Sequence, residues 1–376
     1  MEAFLPRASR ALGALPAPPL TPLLAPLDSL RARLLRAIAP LARSLVVERD
    51  RRVVLVGSLL LLSAYLGAST LPLWFLAVGP IVWGIPHIVS DTRYMVARPG
   101  LHKRPWVVLI IAVGVIAAGA GAGLRGALGA AIVALLAAKA SWPRKALGVT
   151  FLATCFALTH WAGWVAEVVF GHLHNLIAVG LWWAWRKRPS RLHYLPLALF
   201  VAGTLLLLGG ASDPLLQKTG GLHSPWTGLS IPWLARSLSP TYDPVWSARF
   251  VVYYAFAQSA HYVVWMRLIP EDDRPSPTPR SFGQSYRALR ADMGSLVLWM
   301  ASLSAVALAC WAFVRVGEAR DGYIRLAFFH GYIEVIAGAL LFAEGKLPLR
   351  APAASTSSTA STASNEAREP SRALHA

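Results

Sequence analysis

The chain has 376 residues, of which 56% are hydrophobic and only 14% charged, and a formal net charge of +18. Soluble domains carry about 25% charged residues, so this composition excludes an ordinary soluble enzyme and points to a multi-pass membrane protein. The positive charge lies mostly between apolar runs, which assigns it to the membrane surface and membrane lipids, with no nucleic acid as partner.

Residues 1–50 form a basic, Pro/Ala/Leu-rich leader. Its basic residues are spread out and no short apolar core follows them, so it does not read as a signal peptide. Around "SLRARLLRAIAPLARSL" apolar and Arg positions recur at helical spacing. That pattern suits an amphipathic helix on an anionic membrane surface, and equally a solvated basic leader. Residues 51–346 hold the apolar runs, at 53–70, 72–97, 106–124, 126–140, 147–169, 173–186, 194–210, 245–268, 294–316 and 322–343. An all-α, polytopic transmembrane bundle of about ten spans is expected from these lengths.

Residues 147–186 are almost unbrokenly apolar. As one helix they would extend roughly 60 Å, twice the hydrocarbon core, so a turn is required. Gly171 in "VVFGHLHN" is its expected place. With the N-terminus inside, the inner segments are the leader, "RPGLHKRP", "KASWPRK", "RKRPSR", "EDDRPSPTPRSFGQSYRALR" and the tail, and they hold most of the Lys and Arg. The positive-inside rule then puts both termini in the cytoplasm. The outer connection 211–243 carries Trp226 and Trp233, as an interfacial segment does. Residues 347–376 are low-complexity and expected to be disordered.

Within or at the edges of these runs stand His87, His160, His172, His174, His261 and His330, with Asp91, Glu167 and Glu334. Ionisable residues in a membrane face a bundle interior or a cavity, and mark function. His87 and Asp91 are four apart and share a helix face, as do His330 and Glu334; His160 and Glu167, seven apart, do the same. A carboxylate one turn from a histidine can orient its imidazole toward a metal or pass protons. At 1.5 Å per residue, His87, His160, His261 and His330 fall within about 10 Å of one another along the membrane normal. His172 and His174 point to different sides of a regular helix and, with Glu167, are additional candidates. Histidines 102, 193, 223 and 375 are placed in loops or the tail without a role.

Imidazoles without thiolates select Fe, Zn, Cu or Ni over an iron–sulfur cluster, and the two cysteines, Cys155 and Cys310, both lie in apolar runs. Four histidines with open positions suit non-haem iron that takes molecular oxygen beside an apolar substrate. No nucleotide loop, G-x-S-x-G elbow or H-E-x-x-H motif occurs, which argues against ATPases, serine hydrolases and zincins.

"GIPHIVSD" resembles the G-[LIV]-P-H-G-A-L-D motif of the Brp/Blh family, membrane-integral bacterial β-carotene 15,15′-dioxygenases. "LTHWAGW" is similar to its His-[FW]-Gly motif, "YYAFAQSAHY" to its aromatic-rich third motif and "FFHGYIEV" to its closing His-plus-acid motif. Ile88, Val89 and Ser90 replace the family's Gly-Ala-Leu, and Gln258 with His261 stands where the family has two histidines. The resemblance implies an Fe(2+) dioxygenase of the bacterial inner membrane that converts a carotenoid or related apolar lipid from the bilayer, β-carotene to retinal in the family's own case. His87, His160, His261 and His330 would be the metal ligands, with Asp91 and Glu334 orienting ligands or moving protons. Two other readings use the same residues. A di-iron desaturase or hydroxylase would recruit His172, His174 and Glu167; a proton-coupled transporter would use the His/acid pairs as relays.

Overall fold

The computed structural model describes residues 16–37, 39–186, 190–221 and 226–346. Residues 1–15 of the leader, and the tail expected to be disordered, lie outside them. Among the described residues the chain is all-helical. Six helices are long and apolar enough to cross a membrane: Arg49–Thr70, Pro72–Ala97, Pro105–Ala137, Trp164–Ala184, Arg191–Leu208 and Phe282–Ala343.

In chain order the helices are α1 (Thr21–Ala37), α2 (Ala39–Val47), α3 (Arg49–Thr70), α4 (Pro72–Thr92), α5 (Pro105–Ala117), α6 (Gly123–Ala137) and α7 (Trp142–Ala162). Then follow α8 (Trp164–Ala184), α9 (Tyr194–Leu208), the short α10 (Asp213–Thr219) and α11 (Ile231–Leu238), α12 (Pro244–Val263), the single turn α13 (Ile269–Asp272) and α14 (Phe282–Ala343). Proline opens α4, α5 and α12 at or next to the first helical position, where its missing N–H is not needed. Gly121 (φ 102°) and Gly123 (φ 52°) break the chain between α5 and α6, where the two expected runs meet.

The 62 residues of α14 would make a straight rod of about 90 Å. Non-helical torsions at Gly294 (φ 79°) and Arg315 (φ −146°, ψ 82°) divide it. A Cβ on Gly322 would come within 2.4 Å of the Trp311 ring. Eleven residues of straight helix span about 16 Å, so the chain turns back at Arg315 and α14 holds the last two apolar runs.

The turn expected at Gly171 falls elsewhere. Helix α8 runs through Gly171 unbroken, and the chain reverses at Gly163 (φ 58°, ψ −127°) between α7 and α8. Glycine alone adopts such torsions without steric cost. Exposed Trp161 and Trp164 flank it, the placing of aromatics at a membrane boundary.

Helix α4 packs along the C-terminal part of α14. Gly84 makes the approach possible, since a Cβ there would lie 2.4 Å from the Tyr323 ring. Phe200 and Phe256 stack between α9 and α12 with centroids 5.5 Å apart. The π-helical turns Arg93–Ala97 and Val264–Leu268 follow α4 and α12 directly. Such turns concentrate near functional sites; here they follow Asp91 and His261.

In the leader, α1 exposes Leu23, Leu27, Leu30 and Leu34, spaced to form one apolar stripe on a helix. It also packs on α14, where the Asp28 carboxylate accepts the Phe282 N–H (2.6 Å) and the Gly283 N–H (3.0 Å). The Gly283 hydrogen bond, foremost, holds Asp28 below its usual value of 3.8. A depressed carboxylate stabilises the docked state above its unfolded pKa and loses that contribution as pH falls through the folded value. Hydrogen-exchange protection of α1 is therefore expected to hold from pH 7 to pH 5 and to fall below about pH 4. Asp28→Asn should remove this acid-dependent step.

Candidate metal centre

Four helices each contribute one imidazole to a single buried spot: His87 from α4, His174 from α8, His261 from α12 and His330 from α14. His87 and His261 are 2% and 1% exposed. Their rings form a compact group, with centroids 4.8 Å apart for His87–His330, 4.8 Å for His174–His330 and 4.5 Å for His174–His261.

Hydrogen bonding fixes which nitrogens face inward. His87 Nδ1 lies 3.3 Å from the Trp83 carbonyl and His330 Nδ1 is hydrogen-bonded to that of Ala327. A carbonyl only accepts, so both rings carry their proton on Nδ1 and leave Nε2 bare. His174 Nδ1 sits 2.9 Å from Glu334 Oε2. That contact lies off the hydrogen-bond axis, so both Glu334 oxygens remain without a hydrogen-bond partner. The bare Nε2 atoms of His87 and His330 stand 3.2 Å apart, and His174 Nε2 lies 3.0 Å from that of His330.

Bare lone pairs this close repel one another unless a cation lies between them. Metal–imidazole bonds are about 2.0–2.1 Å, so two nitrogens on one ion stand about 3.0 Å apart at a right angle and about 3.4 Å apart in a tetrahedron. The observed separations fall within that interval. Nδ1–H donation to a carbonyl or carboxylate is also the usual outer support of a metal-binding histidine. His261 has neither ring nitrogen hydrogen-bonded. On donor chemistry and spacing, the residues fit a first-row transition metal.

The carboxylates act differently from the expected one-turn pairing. Asp91 does not orient His87, nor Glu334 His330, because backbone carbonyls do so. Instead the Asp91 and Glu334 carboxyls meet across α4 and α14, and Glu334 reaches His174 on a third helix.

His160, expected among the ligands, is not brought into this cluster. It ends α7 beside the Gly163 turn, exposed, with Nδ1 3.4 Å from Arg125 Nη1. Glu167 lies across that turn and does not share a helix with His160; its Oε1 accepts the Leu124 N–H at 2.6 Å, capping α6. His172 faces away from His174, as two-residue spacing requires, and donates to the Leu238 carbonyl (2.8 Å) among Phe250, Tyr253 and Tyr254. His174 occupies the place that sequence reasoning gave to His160. The turn at Gly163 sets it about 15 Å into α8, and tryptophans on both sides of a glycine were the available signal.

Two spaces adjoin the imidazoles. One of about 60 Å³ has Tyr254, Gln258, Tyr262 and Tyr323 on its walls beside His87, His261 and His330. The Tyr262 and Tyr323 hydroxyls are buried and have no hydrogen-bond partner. The other, about 530 Å³, is an apolar cleft between α7, α8 and α14 lined by Leu147, Phe151, Ile177, Leu181 and Phe342. His174 and Glu334 are the polar residues on its wall, and Phe170, His174 and Gly331 border both spaces.

Fold and site together define a class: a helical bundle of membrane-spanning dimensions with a buried four-histidine cluster open to an apolar cleft. Compared with family models, curated proteins and solved structures, the chain matches none.

Proposed function

We propose that this protein is a membrane-integral, iron-dependent oxygenase of an apolar lipid of the carotenoid class. Oxidative cleavage of β-carotene to retinal is the specific case that the Brp/Blh resemblance favours. The observation carrying the proposal is the convergence of the His87, His261 and His330 ligand atoms, within 4.8 Å of one another, beside His174, which lines an apolar cleft of about 530 Å³. His87, His174, His261 and His330 would hold Fe(2+), which when bound supplies activation of molecular oxygen. The chain's own part is positional. The Trp83 and Ala327 carbonyls lock two imidazoles in one tautomer, Glu334 stands against the third, and the cleft presents an apolar chain while excluding water.

The reading includes a bacterial inner-membrane location, ten spans with both termini cytoplasmic, and a substrate that enters sideways from the bilayer. A desaturase reading that recruits His172 and Glu167 loses support, since both are engaged elsewhere. Proton-coupled transport would rest on the Asp91–Glu334 contact and the His174–Glu334 pair.

The test is expression in a carotenoid-producing bacterium with pigment chromatography and metal analysis of the purified protein. Retinal is expected to appear as β-carotene disappears, and His87→Ala should abolish the conversion. Unchanged pigment in both strains, together with protein free of iron, would rule the proposal out.

A further inference from the structure

The four imidazoles leave a second group of buried donors unsatisfied. Glu334 Oε1 and Oε2, Asp91 Oδ1 and both nitrogens of His261 have no hydrogen-bond partner. Asp91 is 2% and Glu334 5% exposed. Among the described residues, no Lys or Arg forms an ion pair or hydrogen bond with either carboxyl. Two buried carboxyls in contact require a shared proton or a cation between them.

The donors fall into two overlapping sets. His87, His261 and His330 form one; His174, His261 and Glu334 form the other, each with ligand atoms within 4.8 Å of one another. Only His261 is common to both. The His174 Nδ1–Glu334 Oε2 separation of 2.9 Å, off the hydrogen-bond axis, matches two neighbouring ligands on one ion. Asp91, against Glu334, adds a further oxygen.

We infer that the site holds two metal ions, one at the His87–His330 end and the second at the His174–Glu334 end, with Asp91 behind it. The inference rests on the metal-dependent reading above and extends it: Glu334 is a ligand rather than an orienting group. The mixed imidazole and carboxylate set suits Fe, Mn or Zn at the second position, where thiolate-seeking ions have no partner. Four histidines and two carboxylates would then be divided between the two ions.

The test is metal stoichiometry of the full chain in lipid nanodiscs, loaded anaerobically with Fe(2+) alone and freed of loose metal. Two ions per chain are expected for the wild type and one for Glu334→Gln, with His160→Ala unchanged at two. Magnetic coupling between the irons, by Mössbauer spectroscopy, should be present in the wild type and absent in Glu334→Gln. Should that variant not fold, wild-type stoichiometry and coupling still decide. One ion per chain overturns the second position and leaves the oxygenase reading standing. Two ions indifferent to Glu334→Gln also overturn it, by placing the additional ion elsewhere. No bound ion in the wild type overturns this inference and the metal-dependent function together.

Discussion

Replacing His330 with alanine is expected to lower metal affinity by at least about 100-fold, whereas the same change at His160 should leave it untouched. His330 is the hub of the cluster, with its Nε2 3.2 Å from that of His87 and 3.0 Å from that of His174. Its removal takes away the one nitrogen that faces both others. Loss of an outer hydrogen bond alone commonly costs 10–100-fold in metal affinity, so loss of this ligand should cost at least as much. Isothermal titration with Fe(2+) under anaerobic conditions measures the effect.

Stability should separate in the same way. A metal at 100 times its dissociation constant stabilises the folded state by about 2.7 kcal/mol. Chelation should therefore lower the melting temperature of the wild type and of His160→Ala, but hardly that of His330→Ala. The metal-free variant is not expected to be much weaker than the metal-free wild type, because it also loses a repulsion between bare lone pairs. If His160→Ala matched His330→Ala in affinity loss, the observed cluster would not be the metal centre.

The contrast between these histidines shows how far the sequence could be read. His87, His261 and His330 were legible because an imidazole in an apolar run has few purposes, and their helices fall where the hydropathy places them. His174 was not, because its depth depends on one turn. Hydropathy is nearly featureless over residues 147–186, and moving the reversal from Gly171 to Gly163 carries His160 to the boundary and His174 toward mid-helix. The helical pairing of His87 with Asp91 and His330 with Glu334 was read correctly as shared faces. Which groups those faces meet was not: carbonyls of the same helix took the imidazole protons, which left the acids to meet each other across α4 and α14. Spacing along one helix reports direction; only the packing of several reports partners.

The largest departure from the sequence reading lies in "EDDRPSPTPR", the start of a segment placed among the cytoplasmic connections. Glu271, Asp272 and Asp273 are 1%, 5% and 6% exposed. Each receives an arginine from a different place in the chain. Arg52 of α3 binds Glu271, Arg186 beyond α8 binds Asp272, and Arg98 beyond α4 binds Asp273. Trp182 donates its indole N–H to Asp272 at 2.9 Å. Three consecutive acids thus tie three helix ends to the segment leaving α12, which carries His261. Nothing in the local sequence distinguishes them from surface charge, because their partners lie up to 219 residues away.

Glu271→Ala is accordingly expected to destabilise the protein by about 3–5 kcal/mol, the cost of leaving a buried charge unpaired. The Glu271 carboxylate takes Arg52 Nε at 2.9 Å and Nη2 at 2.5 Å. Arg274 Nη1 stands 3.0 Å from the other oxygen, though not aligned as a hydrogen bond, and Arg267 is 3.5 Å away. Without the carboxylate three guanidinium groups face one another, and Arg52, only 7% exposed in its side chain, cannot turn out to water. Its remaining bonds to the Leu45, Val46 and Pro277 carbonyls hold it in place. The surface pair Arg51–Glu48, at 2.7 Å with both side chains about half exposed, is the control. Glu48→Ala should cost less than about 1 kcal/mol. Denaturant unfolding in nanodiscs, followed by tryptophan fluorescence, measures both. Because Glu271 touches none of the cluster residues, the folded fraction of Glu271→Ala should still bind metal like the wild type. A Glu271→Ala protein of unchanged stability would mean that the arginines, not the acid, hold these helix ends together through their backbone contacts.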